Sequence, residues 1–108
     1  MPFNDTWNII VNQLKIGQLI DNWTNDNDYL GGQFTIVSIA QNNIQADSPS
    51  AKTIQSIPRD HFENIYTIWK PYREGGCPRH QIRDLTRFSK YIISILHWVE
   101  VSNNDSLP

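Results

Sequence analysis

The sequence predicts an α+β domain: an N-terminal helix, a small curled antiparallel sheet of three or four strands, and two or three C-terminal helices ending in a helix-turn-helix-like pair. Three observations carry this. Apolar residues recur at helical spacing near both ends of the chain. Between Gln18 and Ile57 the pattern changes to period two in strand-forming residues. The connections in that middle stretch are too short for the crossover that a parallel pair requires, so the strands are antiparallel.

Residues 5–14, DTWNIIVNQL, place Trp7, Ile10, Val11 and Leu14 on one helical face, with Asp5 or Thr6 able to cap the start and Gly17 just past the end. This helix is expected to cover a face or an end of the sheet. Four strands follow: QLIDNW (18–23), QFTIVSIA (33–40), NIQAD (43–47) and KTIQSI (52–57). The segment TNDNDYLGG supplies turn chemistry between the first two strands, and Gln41-Asn42-Asn43 between the next two. Alternation sets Phe34, Ile36 and Ser38 on one face and Thr35, Val37 and Ile39 on the other, so both faces call for cover.

A helix opens after Ile57-Pro58-Arg59, with Asp60 as its cap and Phe62, Ile65, Tyr66 and Trp69 as an apolar stripe. Pro71 is expected to end or kink it near Trp69, and Gly75-Gly76 marks a break. Pro78 starts a short helix that runs to about Leu85. Ser89 caps the last helix, whose Tyr91, Ile92, Ile95, Leu96, Trp98 and Val99 are more than one sheet can cover. The tail, SNNDSLP at 102–108, is polar and expected to fray.

The chain has 108 residues, enough for one core, and one domain is expected over 1–108. Twelve aromatic residues can supply that core without a metal or a disulfide. A single cysteine, Cys77, precludes an internal bridge and fits a reducing compartment. The opening MPFNDTWNII lacks the pattern of a signal peptide, and no stretch is apolar for long enough to span a membrane, so the expected location is cytoplasmic, with no membrane partner.

The net charge of −2 hides an asymmetry. Lys15 stands against Asp5, Asp21, Asp26, Asp28 and Asp47 in residues 1–51, a net −4, whereas residues 52–98 carry eight cations against four acids, a net +4. Such a division points to an anionic partner and equally suits attraction between the two halves or between two copies of the chain.

The stretch PRHQIRDLTRFSKYIISILHWV (78–99) lies in the basic half and suits a helix-turn-helix, with Thr86-Arg87-Phe88 as the turn. On that reading Ser89, Lys90 and Arg87 approach base edges at the start of the second helix. Arg73, Arg79, Arg83 and Lys70 then contact phosphates. The second helix is unusually apolar for a groove reader, which favours an anchoring role and leaves DNA contact to the arginines of the first helix and turn. A homodimer through the outer face of the last helix is the alternative use of that apolar surface.

No catalytic constellation emerges, so no enzyme activity is expected. His61, His80 and His97 lack the pairing of a zinc helix, and Cys77 stands alone beside Pro78 and Arg79. Asp26, Asp28 and Gly31 copy part of a calcium loop, but Leu30 and Val37 occupy ligand positions and defeat it. Arg73-Glu74-Gly75-Gly76 is a plain turn more readily than a phosphate cradle. No cofactor is expected.

The run IPRDHFENIYTIWKPYREG followed by TRFSKYIISILHWV resembles the small orphan proteins carried by mobile gene cassettes of integrons. The resemblance covers the second half, implies a compact bacterial α+β protein, and transfers no site residues. Three functions follow as expectations: a non-catalytic nucleic-acid-binding or nucleic-acid-associated module, an interaction or assembly protein, and a small-molecule pocket lined by Trp23, Phe34, Trp69 and Tyr72.

Overall fold

The computed structural model describes residues 2–25, 28–104 and 107. A helix α1 (Pro2–Gln13) is followed by four strands, β1 (Leu19–Thr24), β2 (Asp28–Ile39), β3 (Asn43–Asp47) and β4 (Gln55–Pro58). Three helices complete the α+β fold: α2 (Arg59–Arg73), α3 (Arg79–Leu85) and α4 (Ser89–Asn103). The strands form one antiparallel meander in the order β1-β2-β3-β4.

The helix α1 begins earlier than its expected cap. Pro2 occupies the start, where a missing N–H is harmless, and Asp5 lies in the first turn, where its charge favours the helix dipole. Its buried stripe is Phe3, Trp7, Ile10 and Leu14, with Val11 only half-buried.

Two irregularities shape the sheet. The segment expected as one long turn is largely strand, because β1 runs to Thr24 and β2 already starts at Asp28. Gly31 and Gly32 therefore serve inside the strand. Gly31 has φ +88°, and a Cβ on Gly32 would meet Asn22 Nδ2 at 2.8 Å, so the pair opens a bulge opposite Asn22. Asp26 of the partial calcium loop lies outside the described residues.

A second shift, between Ile36 and Ser38, leaves Val37 without a partner on β3. Past it Ile39 pairs with Ile44 and turns inward, whereas Ser38 pairs with Gln45 on the outer face. This corrects the simple alternation. The inner face gathers Ile20, Phe34, Ile36, Ile44, Ala46 and Ile57, all buried, while the outer face carries such pairs as Asp21 with Gln33 and Thr35 with Asp47. One apolar face suffices, and the helices cover it.

The strand β4 is shorter than expected: it starts at Gln55, and Ile54 lies outside it, exposed. No side chain caps α2, since Pro58 holds the N-cap position in an extended conformation and Asp60 falls in the first turn. Pro71 does not end α2. The proline is exposed, and the helix runs on to Arg73 because Trp69 and Tyr72 are anchored in the core, the latter accepting a hydrogen bond from the Asn25 N–H at 3.0 Å. Gly75, at φ +85°, closes the turn that follows.

The last helix is the centre of the molecule. It packs against β1, α1, α2 and α3, and Ile92, Ile93, Ile95, Leu96 and Val99 are fully buried. Ser94 explains how a polar residue belongs there: its Oγ accepts the Trp23 N–H at 3.0 Å, satisfying the free edge of β1. Leu107 is buried and its N–H donates to Glu100 Oε2 at 2.8 Å.

Candidate functional site

The residues from Arg79 to Lys90 form one corner of the molecule, built by α3 and its turn into α4. The turn is set by Thr86, whose Oγ1 accepts the Phe88 N–H at 3.0 Å and lies 2.6 Å from His61 Nδ1 on α2. Phe88, not Ser89, occupies the N-cap position of α4, and no side-chain cap is made there. The expected Ser89 cap is thus replaced by a hydroxyl three residues earlier.

Contacts at both ends align α2 with α4 in the same direction. His61 meets Thr86 and the Phe88 ring near their N-termini, and Arg73 pairs with Glu100 near their C-termini at 2.5 Å. This separates the arginines that the sequence groups together. Lys90 and Glu100 lie ten residues apart on α4, about 15 Å along its axis, so Arg73 belongs to the opposite end from the turn. Its guanidinium is mostly buried against a carboxylate that also receives the Leu107 N–H, a structural tie.

The other predicted residues fall out differently. Arg83 and Arg87 are exposed, Arg79 and Lys90 are half-buried, and Ser89 is only 4% exposed. Burial removes Ser89 from any groove contact, as it does Tyr91, Ile92 and Ile93 on the same turn of α4. Arg87 lies over the Phe88 ring at 4.7 Å and Lys90 over the Tyr91 ring at 5.5 Å. Among the described residues the ion pair is Arg73 with Glu100, so Arg83, Arg87 and Lys90 face no acid at pairing distance.

The remaining candidates resolve into packing. Trp23, Trp69 and Tyr72 contact one another edge-on or tilted, and Phe34 meets Tyr91, so the four expected pocket-lining rings fill the core instead. His97 is stacked on Trp23 with ring centroids 4.0 Å apart and a 7° interplanar angle. Burial holds its imidazole below the usual value of 6.5, while Glu100 and Asp28 pull the other way. The Cys77 thiol lies 3.3 Å from Gln81 Oε1, and His61 and His97 are engaged elsewhere. Among the described residues no group of three His, Cys, Asp or Glu could hold a metal.

Sequence reasoning missed Arg59. Its guanidinium lies 5.1 Å from the Phe3 ring centroid and 5.9 Å from that of Trp7, and it donates to Asn4 Oδ1. Only its place directly after Pro58, opening a helix, marked it in the sequence. Comparison with protein-family models, with curated proteins and with solved structures gives no match. No helix among the described residues is long and apolar enough to cross a membrane.

Proposed function

We propose that the protein is a non-catalytic, nucleic-acid-associated module whose contact surface is α3 and the turn into α4. The observation that supports this reading is the trio Arg83, Arg87 and Lys90, three cations within eight residues that have no acidic partner among the described residues. Two of them rest on rings held in the core, which limits the side-chain freedom lost on meeting a phosphate. Arg79 adds charge at the start of α3.

The role is backbone contact and not base reading by α4, because Ser89, Tyr91 and Ile92 in the first turn of that helix are buried and only Lys90 reaches its surface. Under this reading the chain works in the bacterial cytoplasm, in keeping with its resemblance to integron-cassette proteins. A homodimer through α4 has less to support it, since Ile93 is buried inside the chain.

Binding of an arbitrary-sequence oligonucleotide, measured across a salt series, tests the proposal. Affinity is expected to fall linearly in log–log form. Arg83→Ala combined with Arg87→Ala should reduce the slope by roughly 1.4 to 1.8, the release expected from two phosphate contacts. Arg73→Ala should leave the slope unchanged. Salt-independent affinity, or an unaltered slope in the double variant, overturns the reading.

A further inference from the structure

We infer that a cavity at the N-terminal end of α2 holds an unpaired nucleobase. It lies between α1, the β2–β3 turn and the first residue of α2, with a volume of about 300 Å³. That is the lower end of the range for small-ligand sites, roughly 300 to 1,000 Å³.

The walls are tied together by the protein itself. Trp7 Nε1–H donates to the backbone oxygen of Gln41 at 3.0 Å, and the Arg59 N–H donates to the backbone oxygen of Asn42 at 2.8 Å. The Arg59 guanidinium bonds Asn4 and lies over two aromatic rings. Because these ties use backbone oxygens, the side-chain amides of Asn8, Gln41 and Asn42 keep no protein partner among the described residues. Among the described residues no acid lines the cavity.

Three free carboxamides beside one guanidinium define the ligand. A carboxamide sets a donor next to an acceptor, the pattern that base edges also present. A guanidinium plane stacks on a base, which a sugar ring lacking a π face cannot match. The single positive charge is too little for a site built around a dianion.

The cavity and the cationic turn both lie near the N-terminal end of α2 but flank it on different sides, Arg59 lining the cavity and His61, two residues on, meeting Thr86. The physiological ligand rests on the nucleic-acid reading above, whereas base recognition can be tested apart from it.

Uncharged nucleosides, which carry no phosphate, are titrated into the full chain while NMR follows the side-chain amides of Asn4, Asn8, Gln41 and Asn42 and the Arg59 guanidinium. Saturable shifts confined to these groups are expected for at least one nucleoside, weakened about tenfold or more by Asn8→Leu. Asn8 is exposed, so the fold should survive, as the backbone amide spectrum will report. No shift with any nucleoside, equal shifts with neutral monosaccharides, or binding indifferent to Asn8→Leu overturns the inference. If nucleosides fail while oligonucleotide binding keeps its dependence on Arg83 and Arg87, the cavity inference falls and phosphate contact stands. If nucleosides bind while that dependence is absent, the reverse holds.

Discussion

Thr86 joins three elements through one hydroxyl. Its Oγ1 accepts the Phe88 N–H and shares a second hydrogen bond with His61 Nδ1, whose direction is set by the imidazole tautomer. Replacement by isosteric valine strands both partners, and Thr86→Val is expected to lower unfolding free energy by about 2 kcal/mol in denaturant titration. His97 governs a different property. The folded chain binds its proton less tightly than the unfolded chain does, so the unfolded state is favoured as pH falls below about 6.5. Stability is complete above that value and is lost as pH drops through the lower folded value. Denaturation midpoints measured from about pH 8 to pH 5 should show this loss, and His97→Gln should flatten it. Neither role was legible in the sequence, because partners 25 residues away (His61 to Thr86) or on another element (Trp23 to His97) leave no local periodicity.

At the scale of elements, existence and type were legible where a stripe was long, as in α2 and α4. What misled was punctuation. A glycine pair beside Asn and Asp suggests a turn, yet Gly31-Gly32 is placed inside β2, where a bulge uses the same positive φ that a turn would use. Gly32→Ala should cost about 1 to 3 kcal/mol, because its Cβ would strike the buried Asn22 side chain. A thermal melt that leaves the midpoint unchanged would show that Asn22 can yield. Pro71 likewise reads as a stop, and local chemistry alone would make it one. The anchoring of Trp69 and Tyr72 outweighs one missing hydrogen bond on an exposed face. The excess of apolar residues on α4 was legible too, but its meaning depended on neighbours. Helices and β1 pack around it and bury Ile92, Ile93, Ile95, Leu96 and Val99, while Trp98 stays half-buried and Val101 exposed.

Across the whole molecule, the charge division of −4 and +4 survives folding, but the basic half does not act as a unit. Because α2 and α4 run in the same direction, Arg73 is carried to one end and neutralised by Glu100, while α3 leads back to Arg83, Arg87 and Lys90 at the other. The cavity was less visible still: Asn4, Asn8, Gln41, Asn42 and Arg59 are spread over 56 residues and read as ordinary polar surface. The sequence by itself determined the α+β class, the antiparallel order of short strands, the apolar stripes of the helices and the basic character of residues 78–90. These depend on period, propensity and charge, which neighbouring residues carry. Only the tertiary structure decided which cations remain free, which polar groups meet, and that α4 lies at the centre. Pairing and burial are relations between distant segments, and they are settled when those segments compete for the same core.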